Sequence, residues 1–221
     1  HKGGVHVDAL MKGASYEHIN PALVGNTQIV ILSDLSGRAN IVEIAKKFGY
    51  KITKDDFRVK EMLQAVEEME KQGYDIGDIP SEQFLLVERF FGKKKEFFKI
   101  ETWRIMSEQR NGEYSECVLT GVVDGKTREV VAPVNGGPVN AAYRSLRKMV
   151  ATNYQQIKEI KLIDYKVMIA EDKGPASSVR VYVIFTDNKD EWGCVGVSTN
   201  ILEASLFAIE KGFKYYLLKN C

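Results

Sequence analysis

Apolar residues recur along this chain in two rhythms, and the change between them falls near residue 92. Up to residue 91 the spacing is three to four, the mark of helices with one buried face. In SGRANIVEIAKKFGY the stripe is Ile41, Ile44, Ala45 and Phe48, with Ser36 placed to cap the start and Gly49 to end the helix. TKDDFRVKEMLQAVEEMEKQGY repeats the design with Val59, Met62, Leu63, Val66 and Met69, stopped at Gly73. PSEQFLLVERFFG is a third, shorter helix opened by Pro80 and Ser81. The charges between these stripes read as solvated faces, and GKKKE (92–96) as a solvated linker, since neither a phosphate loop nor an aromatic platform accompanies its lysines.

Beyond the linker the period is two. FFKIETWRIM reads as a strand, Asn111-Gly112 as a turn, SECVLTGVV as a strand, Asp124-Gly125 as a second turn and TREVVAPV as a third strand, before the helix NGGPVNAAYRSLRKMVA. The same order follows again in IKLIDYKVMIA, SSVRVYVIFT, EWGCVGVS and TNILEASLFAIEKG. A shift of 62 residues superposes the copies without a gap and pairs Lys99/Lys161, Met106/Met168, Gly112/Gly174, Ser115/Ser177, Glu129/Glu191 and Ala142/Ala204. The fold class is therefore α+β: N-terminal helical subdomains over 1–91, then a duplicated βββα domain over 92–221 with pseudo-twofold symmetry, its repeats at about 97–153 and 159–216. Each three-stranded sheet with one helix has a second apolar face to cover, so a homodimer is expected.

Composition narrows the function classes. A net charge of +1 gives no electrostatic reason to expect nucleic acid or an anionic membrane as partner, and no apolar run is long enough for a span. Cys117, Cys194 and Cys221 form neither a disulfide framework nor a CxxC metal site, which points to a reducing cytoplasm.

All three histidines, His1, His6 and His18, fall in the first 18 residues. Taken alone, His6 reads as a polar residue near a terminus. His1 and His6 have the wrong spacing for one helical face and no third ligand nearby, and no nucleophile motif supports a Ser-His-Asp triad. The surrounding sequence says more. HKGGVHVDALMK, SYEHINPALVGN and SDLSGRANI resemble consecutive motifs of the 2-isopropylmalate synthase family, most of all its citramalate synthase branch. NGGPVNAAYRSLRK, LIDYKV and WGCVGVSTNILEAS resemble that family's later loop, strands and helix.

The resemblance implies the linker subdomains that end the catalytic region (1–91), followed by an allosteric, amino-acid-binding and dimerisation domain (92–221). It implies that the whole enzyme is an acyltransferase that joins acetyl-CoA to a keto acid. The chemistry would lie in an N-terminal (β/α)₈ barrel whose divalent metal is held by a His-x-His pair and acidic residues. This sequence holds no such pair, so it reads as a fragment starting within the HxGGxH motif, without a cofactor of its own and inactive alone. His6 matches the family's linker histidine and Tyr16 a supporting tyrosine of the active site, while Ala14 stands where a family member has Asn. Asp8 is equally readable as a helix-start acid, and Arg38 as a solvated or ion-paired residue rather than a CoA phosphate contact.

The candidate effector site has a physical case of its own. Asn135, Gly136, Gly137 and Pro138 carry a strand into a helix whose first N–H groups no glycine side chain can cap, leaving them open to an amino-acid carboxylate. Val139, Ala142 and Tyr143 on the next turn are expected to line an apolar pocket. The second repeat offers Asn200 as cap with Glu203 three residues on, a capping-box spacing that satisfies itself. From the residues alone, a tight strand-to-helix turn without ligand is the preferred explanation of the glycines. With the resemblance, the expected effector is isoleucine in a citramalate synthase or leucine in a 2-isopropylmalate synthase. A stand-alone amino-acid-binding dimerisation module is the reading from a different class.

Overall fold

A computed structural model describes residues 31–33, 35–93, 95–109, 112–171, 174 and 176–221. They form two compact units, divided between residues 94 and 95.

The first unit contains α1 (Arg38–Lys47), α2 (Phe57–Lys71) and α3 (Pro80–Phe91). Their stripes are the buried faces: Ile41, Ile44, Ala45, Val59, Met62 and Val66 are all sequestered, and Phe48 packs edge-on against Phe84 at 5.3 Å. Both glycine stops are left-handed and close Schellman motifs. Tyr50 N–H donates to the Ala45 carbonyl beyond Gly49 (φ +89°), and Tyr74 N–H to the Met69 carbonyl beyond Gly73 (φ +94°). The start of α1 differs from expectation. Its N-cap is Gly37, whose N–H donates to Asn40 Oδ1 at 3.1 Å, while the Ser36 hydroxyl lies one residue too early and accepts from Ser33 N–H. Ile79 caps α3 and Pro80 occupies its first position, where a missing N–H costs nothing.

The second unit holds both repeats. The first is β1 (Phe98–Gln109), β2 (Glu113–Val123), β3 (Lys126–Val134) and α4 (Pro138–Val150); the second is β4 (Lys161–Glu171), β5 (Ser178–Thr186), β6 (Glu191–Ser198) and α5 (Ile201–Asn220). Each triplet is an antiparallel meander in chain order. The duplication extends to an irregularity. The β1–β2 register slips between Ile100 and Thr102 and the β4–β5 register between Leu162 and Asp164, so the bulged residues Glu101 and Ile163 occupy equivalent positions. Asp124 (φ +47°) and Gly125 (φ +75°) make the two-residue turn that pairs Val123 with Lys126. The Asp124 carboxylate accepts from Asn153 Nδ2 at 2.8 Å and from the Tyr154 hydroxyl, which ties that turn to the end of α4. Burial and this carboxylate push the Tyr154 phenol to about 12.

Each helix lies on one face of its own sheet and the two helices meet, with the Tyr143 and Phe213 rings edge-to-face at 5.8 Å. Helix α5 is accordingly covered on a broad face, with Leu206, Ala208, Ile209, Gly212, Phe213, Tyr216 and Leu217 all buried, while Glu210 and Lys214 pair at 2.7 Å on its other side. It approaches its sheet at two glycines. A Cβ on Gly196 of β6 would stand 1.9 Å from the Ala204 carbonyl oxygen, and one on Gly212 would stand 2.1 Å from the Phe185 ring. The Gly212 carbonyl accepts from Trp192 Nε1 at 3.0 Å, which locks helix to strand at the same level.

Candidate functional site

Residues 135–137 carry the chain from the end of β3 into α4. Asn135 is exposed, and Gly136, Gly137, Pro138 and Val139 are half-buried around the turn. Gly137 is the N-cap, in extended conformation, and no side chain caps the helix. Pro138 has no N–H to offer. The N–H groups of Asn140 and Ala141 both turn inward to the Gly137 carbonyl, at 3.1 and 3.3 Å. The Val139 N–H is thus the first-turn donor left to meet something outside the helix.

The structure adds a residue absent from the sequence-level reading. A Cβ on Gly137 would lie 3.4 Å from Glu113 Oε1, so a carboxylate from the first residue of β2 stands beside the uncapped turn. Its position was countable. The Asp124-Gly125 hairpin pairs Val123 with Lys126 and Ser115 with Val134, and the same register continued puts Glu113 level with Gly136. An amino acid carries both charges, so backbone N–H groups and a nearby carboxylate together suit it better than either alone.

The seven predicted effector residues do not all meet. Asn135 to Val139 form the turn. Ala142 is fully buried, and the Tyr143 hydroxyl donates to the Ile160 carbonyl at 2.6 Å, which fixes α4 against the connection to the second repeat. Burial raises the Tyr143 phenol above its ordinary range. Tyr143→Phe would leave that carbonyl without its donor, so we expect a loss of about 1–2 kcal/mol in thermal unfolding with effector affinity unchanged. Weakened binding at unchanged stability would instead place Tyr143 in the pocket.

In the second repeat, Asn200 is the N-cap and its Oδ1 accepts from Leu202 N–H at 2.9 Å. Glu203 closes the box through an intermediary. Asn200 N–H donates to Ser198 Oγ at 3.0 Å, and that hydroxyl donates to Glu203 Oε2 at 2.5 Å. The start of α5 is satisfied by its own residues, while that of α4 is not.

Tyr165 and Trp103 sit at equivalent positions of β4 and β1, and the Tyr165 hydroxyl bonds Ser205 Oγ at 2.8 Å, a packing contact with α5. Arg38 is exposed at the first position of α1. His6 and Tyr16, with Asp8 and Ala14, lie outside the described residues. Among the described residues, no three His, Cys, Asp or Glu side chains come together as a metal would require, and no helix is long and apolar enough to cross a membrane.

Comparison with known proteins supplies the context. Residues 79–217 match the model of the LeuA allosteric (dimerisation) domain, and residues 1–74 that of the homocitrate synthase post-HMGL domain-like family. The (R)-citramalate synthases of Aquifex aeolicus and Geobacter sulfurreducens are each 40% identical to this chain over its whole length, which covers 42% of either relative. The 2-isopropylmalate synthase of Bacillus pumilus is 25% identical over 99% of the chain and 40% of that relative. The chain spans about two fifths of the length of the curated relatives it matches. With the LeuA model matching well over half of its residues, and with (R)-citramalate synthases similar along the whole of this sequence, the chain belongs to the LeuA allosteric (dimerisation) domain family.

Proposed function

We propose that the chain is the linker and regulatory part of a citramalate synthase, which condenses acetyl-CoA with pyruvate on the way to isoleucine and is inhibited by isoleucine. The whole protein would be a homodimeric, cytoplasmic acyltransferase. His6 would act as the base near the acetyl-CoA methyl, and Tyr16 would support it. The chain by itself is expected to show no turnover with acetyl-CoA, pyruvate and a divalent metal, because the His-x-His pair that the resemblance implies for the metal is not in this sequence; turnover above a buffer control would overturn that expectation.

The observation that carries the regulatory reading is the contrast between the two helix starts. At α4 no side chain caps Gly137 and the Glu113 carboxylate stands beside it, whereas α5 is capped by Asn200 and its Ser198–Glu203 relay. An effector carboxylate on the Val139 N–H and an ammonium on Glu113 would use both features, with the aliphatic chain against Val139. We expect titration calorimetry to show isoleucine binding more tightly than leucine or valine, though an apolar pocket separates such isomers by only about 1–3 kcal/mol. Gly137→Val puts a branched side chain where the ligand approaches, and is expected to weaken binding at least tenfold, about 1.4 kcal/mol. Absence of heat with all three amino acids, on folded protein, removes the regulatory reading. A leucine preference moves the enzyme to the 2-isopropylmalate synthase branch, whose members also match this chain along its length.

A further inference from the structure

We infer that the free edge of β4, over Val167, Met168 and Ile169, is the surface on which a second copy of this chain docks. The inference rests on the homodimer proposed above and says where it forms. Strand β4 is the outer strand of its sheet, so one row of its backbone N–H and C=O groups faces away from any partner strand in the sheet. Val167, Met168 and Ile169 follow one another there and are 38%, 54% and 65% exposed. Neighbouring residues of a strand point to opposite faces, so this segment is apolar on both faces as well as along its edge. One-sided burial against α5 does not account for that pattern. A chain of hydrogen bonds, Tyr165 hydroxyl to Ser205 Oγ to the Ile201 carbonyl, sets the start of α5 over the same side of β4, and Ile201 is itself exposed.

The equivalent stretch of the first repeat is different. Ile105 is half-buried and Ser107 bonds Ser115, which leaves Met106 as its one exposed large apolar residue. The duplication alone therefore does not explain the β4 patch.

Two features favour a second copy as the occupant. The domain matches a family described as a dimerisation domain. The patch is also suited to meet itself. In a twofold contact each residue faces its own surroundings, so a charged patch would repel its copy, whereas residues 167–170 carry no charge. The adjoining Lys166 is neutralised by Asp164 at 3.0 Å. Two such edges can pair their free backbone groups while burying the apolar side chains on both faces.

Sedimentation of the 221-residue chain tests this. The parent chain is expected to be dimeric at micromolar concentration. Ile169→Glu and Met168→Glu should each raise the dimer dissociation constant at least tenfold with the melting transition of the chain in place, as suits exposed positions. Met106→Glu, at the equivalent place in the first repeat, should leave it unchanged. An Ile169→Glu dimer of unaltered affinity overturns this surface and leaves the homodimer standing. Equal weakening by Met106→Glu also overturns it, because the contact then involves both repeats alike. A monomeric parent chain defeats the homodimer itself, and this inference with it.

Discussion

Gly196→Ala is expected to destabilise the second unit by about 3 kcal/mol, near the upper end of the usual cost of overpacking. The added methyl would lie 1.9 Å from the Ala204 carbonyl oxygen and 2.9 Å from the Ala208 nitrogen. Both are backbone atoms of α5, so no rotamer change relieves the clash and the whole helix must lift. Lifting it breaks the Trp192–Gly212 hydrogen bond and separates Phe185 from Phe213, which pack at 6.1 Å. Scanning calorimetry should show the transition falling by roughly 10 °C, at a few degrees per kcal/mol for a protein of this size. Gly136→Ala is the control: its methyl would meet nothing closer than Asn140 Nδ2 at 3.4 Å, and we expect a change below about 1 kcal/mol. An unchanged transition in Gly196→Ala would mean that α5 does not sit on β6 as described.

The second large effect is catalytic. In the whole synthase that we propose, His6→Ala should lower kcat by about 10²–10⁴-fold, the usual cost of losing a general base. Forming the enolate of acetyl-CoA calls for a group that accepts a proton near neutral pH and then exists comfortably in its charged form, and imidazole does both. Isoleucine binding should persist in the variant, because the candidate effector turn belongs to the second unit and His6 to the stretch that precedes α1. Steady-state kinetics with acetyl-CoA and pyruvate, alongside calorimetry with isoleucine, separate the two roles. Full activity in His6→Ala would make His6 an ordinary polar residue near the start of the chain.

Much of the architecture is legible in the residues because the signals are local. The three stripes of the first unit need only a period of 3.6 and a glycine able to turn left-handed, and Gly49 and Gly73 stop their helices for that reason. Asp124-Gly125 needs only two positive φ angles. The cap of α1 was misread at Ser36 because several polar residues near that start compete, and Asn40 reaches back to do the work from inside the helix. The capping box of α5 was read from the spacing of Asn200 and Glu203, yet Ser198 stands between them. A spacing shows that two side chains are near each other without showing which third group intervenes.

At the candidate site the division follows the same line. The glycine turn and the uncapped start of α4 are properties of five consecutive residues. The inward placement of Ala142 and Tyr143 is not, because which side of α4 is covered depends on Ile160 and Phe213, distant in sequence. Glu113 reaches Gly137 only through the register of β2 against β3.

By itself, then, the sequence determined the element order, the duplication, the two helix stops, the hairpin turn and the open helix start, since each depends on residues within a few positions of one another. Only the tertiary structure decided how closely α5 lies on Gly196, which face of α4 is lost to the core, where Glu113 stands, and that β4 keeps an apolar edge. Those features are set by elements that meet after the chain has doubled back, and the distance between two surfaces is a property of neither sequence segment alone.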